Sequence, residues 1–145
     1  MNINEQILIR AIIMKTNIEL KPCIKKIIDE LMPKATERSC IIESKIPAEA
    51  SLISDERAFT FILKRLLTLI IQSSLNSQIS VSAMYESDSM SIFIKDNNND
   101  YNGYISGKME KHQALIRRAG CHLSFEFNNR RSIIIILRFP YNKKV

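Results

Sequence analysis

The residues of this chain able to do chemistry are few: His112 and His122, the cysteines Cys23, Cys40 and Cys121, and a carboxylate–amide run from Asp96 through Asn97, Asn98 and Asn99 to Asp100. Neither histidine has a cysteine or carboxylate at the spacing of a metal site. Three scattered cysteines read as reduced thiols, not as a disulfide framework or a zinc knuckle. His112 falls beside Met109, Leu115, Ile116 and Ala119 on the apolar side of a helical pattern, so partial burial is expected. His122 opens a strand. Ser124, Ser132 and the other serines alternate along strands with no base nearby in sequence, which proposes no nucleophilic triad. Asp55 and Glu56 stand where a helix begins, where acidic side chains meet the exposed amides and the dipole. Asp96 closes a strand pattern, and the polar segment behind it reads as a turn that Asp96 caps.

The elements around these residues follow from periodicity. Residues 1–16 carry Ile3, Ile7, Leu8, Ala11 and Ile12 at helical spacing and read as a short amphipathic helix. Ile18 to Leu20 reads as a short strand. A helix follows with Pro22 in its first turn and the stripe Ile24, Ile27, Ile28, Leu31, Met32 and Ala35; Pro33 is expected to bend or end it. Cys40 to Ile46 reads as a strand. A second helix starts after Asp55 and buries Phe59, Ile62, Leu63, Leu66, Leu67 and Ile70, with Leu69 and Ile71 widening its apolar surface. From Ile79 the period becomes two, giving a hairpin that turns at Ser87-Asp88 and ends in the polar loop KDNNNDYNG. A third helix is expected from Lys108 to Ala119, with Gly120 as its C′ residue. Two last strands, Leu123–Phe127 and Ser132–Phe139, flank an Asn128-Asn129 turn. The order βα-βα-ββ-α-ββ makes an α/β (α+β) two-layer sandwich: a mixed sheet with about three helices on one face.

A chain of 145 residues is expected to form one main domain, here residues 17–145, behind the helical segment 1–16. It is 46% hydrophobic and 25% charged, an ordinary globular balance. Its apolar runs are far shorter than a membrane span, and the first residues lack the pattern of a signal peptide, so a cytoplasmic domain without membrane contact is expected. The net charge is +6, with Arg117, Arg118, Arg130, Arg131, Arg138, Lys143 and Lys144 concentrated late. A solvated basic face accounts for them better than nucleic-acid binding, since no aromatic platform is interleaved with the charges.

This order and spacing resembles the ATP-binding domain of sensor histidine kinases, in the GHKL ATPase superfamily, over about Ile18 to Tyr141. The family's second helix opens with an Asp and carries a box N-L-x-x-N-A, in which an Asn helps to hold Mg²⁺. The matching stretch, DERAFTFILKRLLTLIIQSS, keeps Asp55 and Leu66 but places Arg65 and Leu69 at the two Asn positions. Leucine offers no oxygen to a hard cation. The next family motif is D-x-G-x-G at a strand end, whose Asp reads the adenine amine. Here Asp96 is kept, while Asn98 and Asp100 fill both glycine positions. The family's mobile lid and its phosphate-cradling G-x-G-L box shrink to a short segment whose glycines are Gly103 and Gly107. The closing helix–Gly–strand motif survives as Ala119-Gly120-Cys121-His122-Leu123-Ser124-Phe125, and the last strand ends in Phe139-Pro140, as the family's often do.

The resemblance implies a Bergerat-type histidine-kinase fold with its chemistry removed. On this reading the chain holds no catalytic, cofactor-binding or metal residue, and Arg65, Leu69, Asp96, Asn98, Asp100 and Gly107 mark a vestigial cleft. Arg65 is expected either to pair with Asp96 or Asp100 across that cleft or to snorkel from the helix edge. The implied role is a docking or regulatory module of a two-component phosphorelay, as a pseudokinase or a histidine-phosphotransfer protein. Its partner is a response-regulator receiver domain or a partner kinase, met through Arg117, Arg118, Tyr101 and Tyr104. Residues 1–16 resemble the tail of a dimerisation helix, which would make a homodimer. A phosphoacceptor role for His112 is not expected, because such a histidine needs an exposed site on a helical bundle. The alternatives are a divergent ATP-binding kinase domain and a basic nucleic-acid-binding module.

Overall fold

The computed structural model describes residues 15–100, 104–128 and 131–141. The helix expected over residues 1–16 lies outside them, save that Lys15 and Thr16 belong to a strand, β1 (Lys15–Glu19). This leads directly into α1 (Leu20–Glu37), then β2 (Ile41–Lys45), β3 (Ser51–Asp55) and α2 (Glu56–Ser73). The hairpin is β4 (Gln78–Tyr85) and β5 (Ser89–Asp96). Behind it come α3 (Tyr104–Met109), a 3₁₀ turn at Glu110–His112, α4 (Gln113–Ala119), β6 (His122–Asn128) and β7 (Ser132–Pro140).

The main sheet has five strands in the order β2-β4-β5-β7-β6; β2 and β4 run parallel and every other pair is antiparallel. The period-two pattern sets its register. Val81, Ile94 and Ile135 align across β4, β5 and β7, as do Ile92 and Leu137, and all five are fully buried. Against that face lie Ile24, Ile27, Ile28 and Leu31 of α1 and the whole expected stripe of α2, Phe59 to Ile70, with Leu69 and Ile71 also buried. The mixed two-layer sandwich is therefore the observed fold.

Four details differ from the sequence expectation. Pro33 neither ends α1 nor stops it short of Glu37: its missing amide faces the exposed side, where water can serve the Asp29 carbonyl. Met32, assigned to the stripe, is exposed. A strand was not expected at Ser51–Asp55; β3 pairs antiparallel with β1 in a separate two-stranded sheet, from Lys15 opposite Asp55 to Glu19 opposite Ser51. The third helix starts at Tyr104, not Lys108, because Ile105 and Met109, one turn apart, are drawn into the core; a 3₁₀ turn then breaks it before α4. Gly120 ends α4 at φ 78°, as its C′ assignment requires.

Candidate functional site

The end of α2 and the end of β5 meet at Asp96, whose side chain sits in the core at 1% exposure. α2 delivers Ser73 in its last turn and Ser74 just past it, and the next loop adds Ser77. The Ser74 and Ser77 hydroxyls donate to the two carboxylate oxygens of Asp96. The Asn98 amide donates to Oδ1 at 3.1 Å, and Asn99 Nδ2 to Oδ2 at 3.2 Å. A buried carboxylate demands such donors, and here four protein groups supply them. Asn99, itself fully buried, also donates to Ser73 Oγ at 2.7 Å. Its backbone amide reaches the Arg131 carbonyl at 2.8 Å, and the Asp100 amide reaches Ser73 O at 3.0 Å. Arg131 closes the group from the turn just before β7, donating to Asn98 Oδ1 at 3.0 Å and forming an ion pair with Asp100.

Asp96 thus caps the turn behind it. Arg65, half-buried on α2, makes no salt bridge among the described residues, so the expected pairing with Asp96 or Asp100 is replaced by serines and amides in one case and by Arg131 in the other. Leu69 is 1% exposed within the core. Gly107, read as a remnant of the phosphate-binding box, lies inside α3 on its exposed side, where a Cβ would meet no atom within 4 Å. No cradle needs this glycine. Magnesium would find no oxygen on the side chain at position 69, and adenine would find both oxygens of Asp96 already hydrogen-bonded to protein. No cluster of three or more His, Cys, Asp or Glu side chains suited to a metal occurs among the described residues.

Of the residues expected to meet a partner, Arg117 and Arg118 lie on α4 and Tyr104 opens α3. Arg117 is exposed on α4. Arg118 is partly exposed, and its Nε lies 2.6 Å from Oδ2 of Asp55, a carboxylate at 1% exposure. Asp55 Oδ1 accepts from the Ala58 amide at 3.1 Å, the N-cap contact of α2. Burial by itself would raise this carboxyl, but the Ala58 amide and the Arg118 guanidinium outweigh it and hold the group below its ordinary range. Tyr104 is partly exposed at the start of α3, with the Lys108 ammonium 5.5 Å from its ring centroid. Tyr101 lies outside the described residues.

His112 is half-buried, as expected. It meets the Phe61 ring edge-on at 5.1 Å, and its Nε2 is buried without a hydrogen-bond partner among the described residues. Burial first, then the charges of Lys111 and Arg65, push its proton affinity down. His122 is exposed at the start of β6. Sequence reasoning missed Arg131, Ser74 and Ser77; the signal available was the serine run directly after the most apolar helix.

No protein-family model matches the chain, and no curated protein does. Solved structures do. The catalytic domain of histidine kinase ThkA superposes with a TM-score of 0.72 at 11% identity, over 87% of this chain and 95% of that one. The histidine kinase AdeS of Acinetobacter baumannii gives 0.77 at 13% identity, over 89% of this chain and 68% of that one. ThkA in complex with the response regulator protein TrrA gives 0.72 at 12% identity, over 88% of this chain and 42% of that one. At such identities the likeness concerns architecture alone, and the chain has the fold of the catalytic, ATP-binding domain of histidine kinases.

Proposed function

We propose that this chain is a catalytically inactive histidine-kinase-like domain that works as a docking or regulatory module in a two-component phosphorelay in the cytoplasm. The observation that carries the reading is Asp96. The side chain that would read adenine is buried, and its acceptor capacity is spent on Ser74, Ser77, Asn98 and Asn99. Leu69 in place of an oxygen ligand and the Arg131–Asp100 pair across the former glycine segment support it. A scaffold without its ligand chemistry retains its surface as its means of action; this is a fold-level argument. No described helix is long and apolar enough to cross a membrane.

The partner on this reading is a response-regulator receiver domain. Receivers present an acidic pocket, and Arg117, on the exposed side of α4 with Tyr104 at the start of α3, offers a cation and an aromatic for a transient, electrostatically steered encounter. ThkA, which shares the fold, has been solved with the response regulator TrrA.

The test is thermal unfolding with and without ATP and Mg²⁺. A ligand present at about 100 times its Kd adds roughly 2.7 kcal/mol, a shift of several degrees for a domain of this size. We expect no shift at millimolar nucleotide; a dose-dependent rise overturns the reading in favour of a divergent ATP-binding domain.

A further inference from the structure

The two edges of the main sheet are not alike. β2 is short, carries the Glu43–Lys45 ion pair and runs into Pro47, features that keep a free edge from pairing with another strand. β6 has none of them. Its seven residues, HLSFEFN, include no Lys, Arg or Pro, and its ladder with β7 runs without a bulge from His122–Arg138 to Asn128–Ser132. β7 is its one strand neighbour among the described residues, so its other side offers backbone amides and carbonyls to a further strand.

The helix-side row of β6 is unfinished as well. Leu123, Phe125 and Phe127 stand opposite Leu137, Ile135 and Ile133, which are all fully buried. Leu123 and Phe125 are half-buried against the core, and Phe127 is 39% exposed. Beside them opens a pocket of about 310 Å³ whose apolar wall is Met109, Ile116, Leu123 and Phe125.

We propose that β6 is the pairing edge of a homodimer: two copies join antiparallel through β6 about a two-fold axis at Phe125, merging two five-stranded sheets into one. The second copy is the occupant because the strand is complementary to itself. A register that keeps apolar residues on the helix side pairs odd-numbered residues with odd-numbered ones, and an axis at Phe125 aligns all seven. Leu123 then faces Phe127 of the second copy, Phe125 faces its own counterpart, and His122 faces Asn128. Glu126, the strand's one carboxylate, falls opposite Ser124. Moving the axis to Glu126 would oppose the two carboxylates, and moving it to Ser124 would leave Phe127 beyond the paired strand. Opposed Cβ atoms on neighbouring strands lie about 5 Å apart, so the Phe127 ring of each copy fills the pocket beside Leu123 of the other. Backbone bonds supply the affinity of such an edge pairing and the pocket its specificity. The pairing does not rest on the nucleotide or receiver readings.

Sedimentation equilibrium of the full chain at low salt tests it. A strand-sized interface belongs to the transient class, so the chain should be monomeric at about 1 µM and mostly dimeric at about 500 µM. Ser124 and Glu126 are exposed and meet twice across the axis, which makes charge the probe of register. Ser124→Glu should raise the dimer Kd and Ser124→Lys should lower it, each by roughly 2- to 30-fold for the two symmetric pairs. Ser124→Glu/Glu126→Lys should recover the dimer. Far-ultraviolet circular dichroism checks each variant, and opposite signs at one position separate pairing from loss of fold. A monomer throughout this range, a dimer whose Kd ignores Ser124, or equal weakening by both charges would each overturn the assignment.

Discussion

Asp55 does two jobs with one carboxylate, capping α2 through the Ala58 amide and anchoring α4 through Arg118. Removing the cation leaves a buried charge with one partner fewer. Because Arg118 is partly exposed, the cost falls between that of a surface pair and that of a fully buried one, about 1–3 kcal/mol. Arg118→Met should lower the urea midpoint at pH 7 accordingly. Asp55 has a folded pKa held below its unfolded value of about 3.9, so its contribution is complete above about pH 4 and is lost as pH falls through the lower folded value. The gap between wild type and Arg118→Met should therefore close towards pH 2. His112 works in the opposite range. Its folded affinity for a proton is depressed, so the unfolded chain binds more protons below about pH 6.5 and stability falls there. His112→Phe should flatten the dependence of Tm between pH 7 and 5. At this scale Asp96 was legible from its place at a strand end. Its serine donors were not, because Ser74 and Ser77 follow α2 and meet Asp96 only in the folded chain, whereas Asn98 and Asn99 stand directly behind it.

Helices α1 and α2 and the strands of the main sheet were legible because their apolar residues recur with clear periods and are buried as those periods require. β3 was not. SLISD has only two large apolar residues, and Ile53 is 71% exposed while Leu52 faces in; its strand character rests on pairing with β1, far away in sequence. The start of α3 was hidden by Gly107 and by the polar run before it. Two substitutions separate these cases. Leu66, fully buried at mid-stripe, should cost about 2–5 kcal/mol on replacement by Ala, read from denaturant unfolding. Gly107→Ala should leave stability unchanged or raise it by up to about 1 kcal/mol, since the site is open and helical. A loss of stability at Gly107 would show that the backbone there needs its glycine.

A single hydrophobic cluster runs through every layer. It takes Ile18 and Leu52 from the small sheet, Ile27 and Phe59 from the long helices, Ile105 and Met109 from α3, and Ile94 and Ile135 from the main sheet. Phe59 and Phe139 join helix to sheet with ring centroids 5.7 Å apart. The Tyr85 hydroxyl of β4 accepts from the Ser51 amide of β3 at 2.9 Å, tying the two sheets at their surface. A two-stranded sheet is barely stable alone in water, so β1–β3 persists because its inner residues belong to the common core. Unfolding should therefore be one cooperative event. Leu52→Ala tests this, since Leu52 is buried in the small sheet and Cys40 is buried just before β2 of the main sheet. We expect the variant to lose about 2–4 kcal/mol. Its far-ultraviolet circular dichroism and the exposure of the Cys40 thiol should move together to a lower urea midpoint, with no second transition. An early spectroscopic transition with Cys40 still protected would show instead that the small sheet opens by itself and that the core is divided at β3.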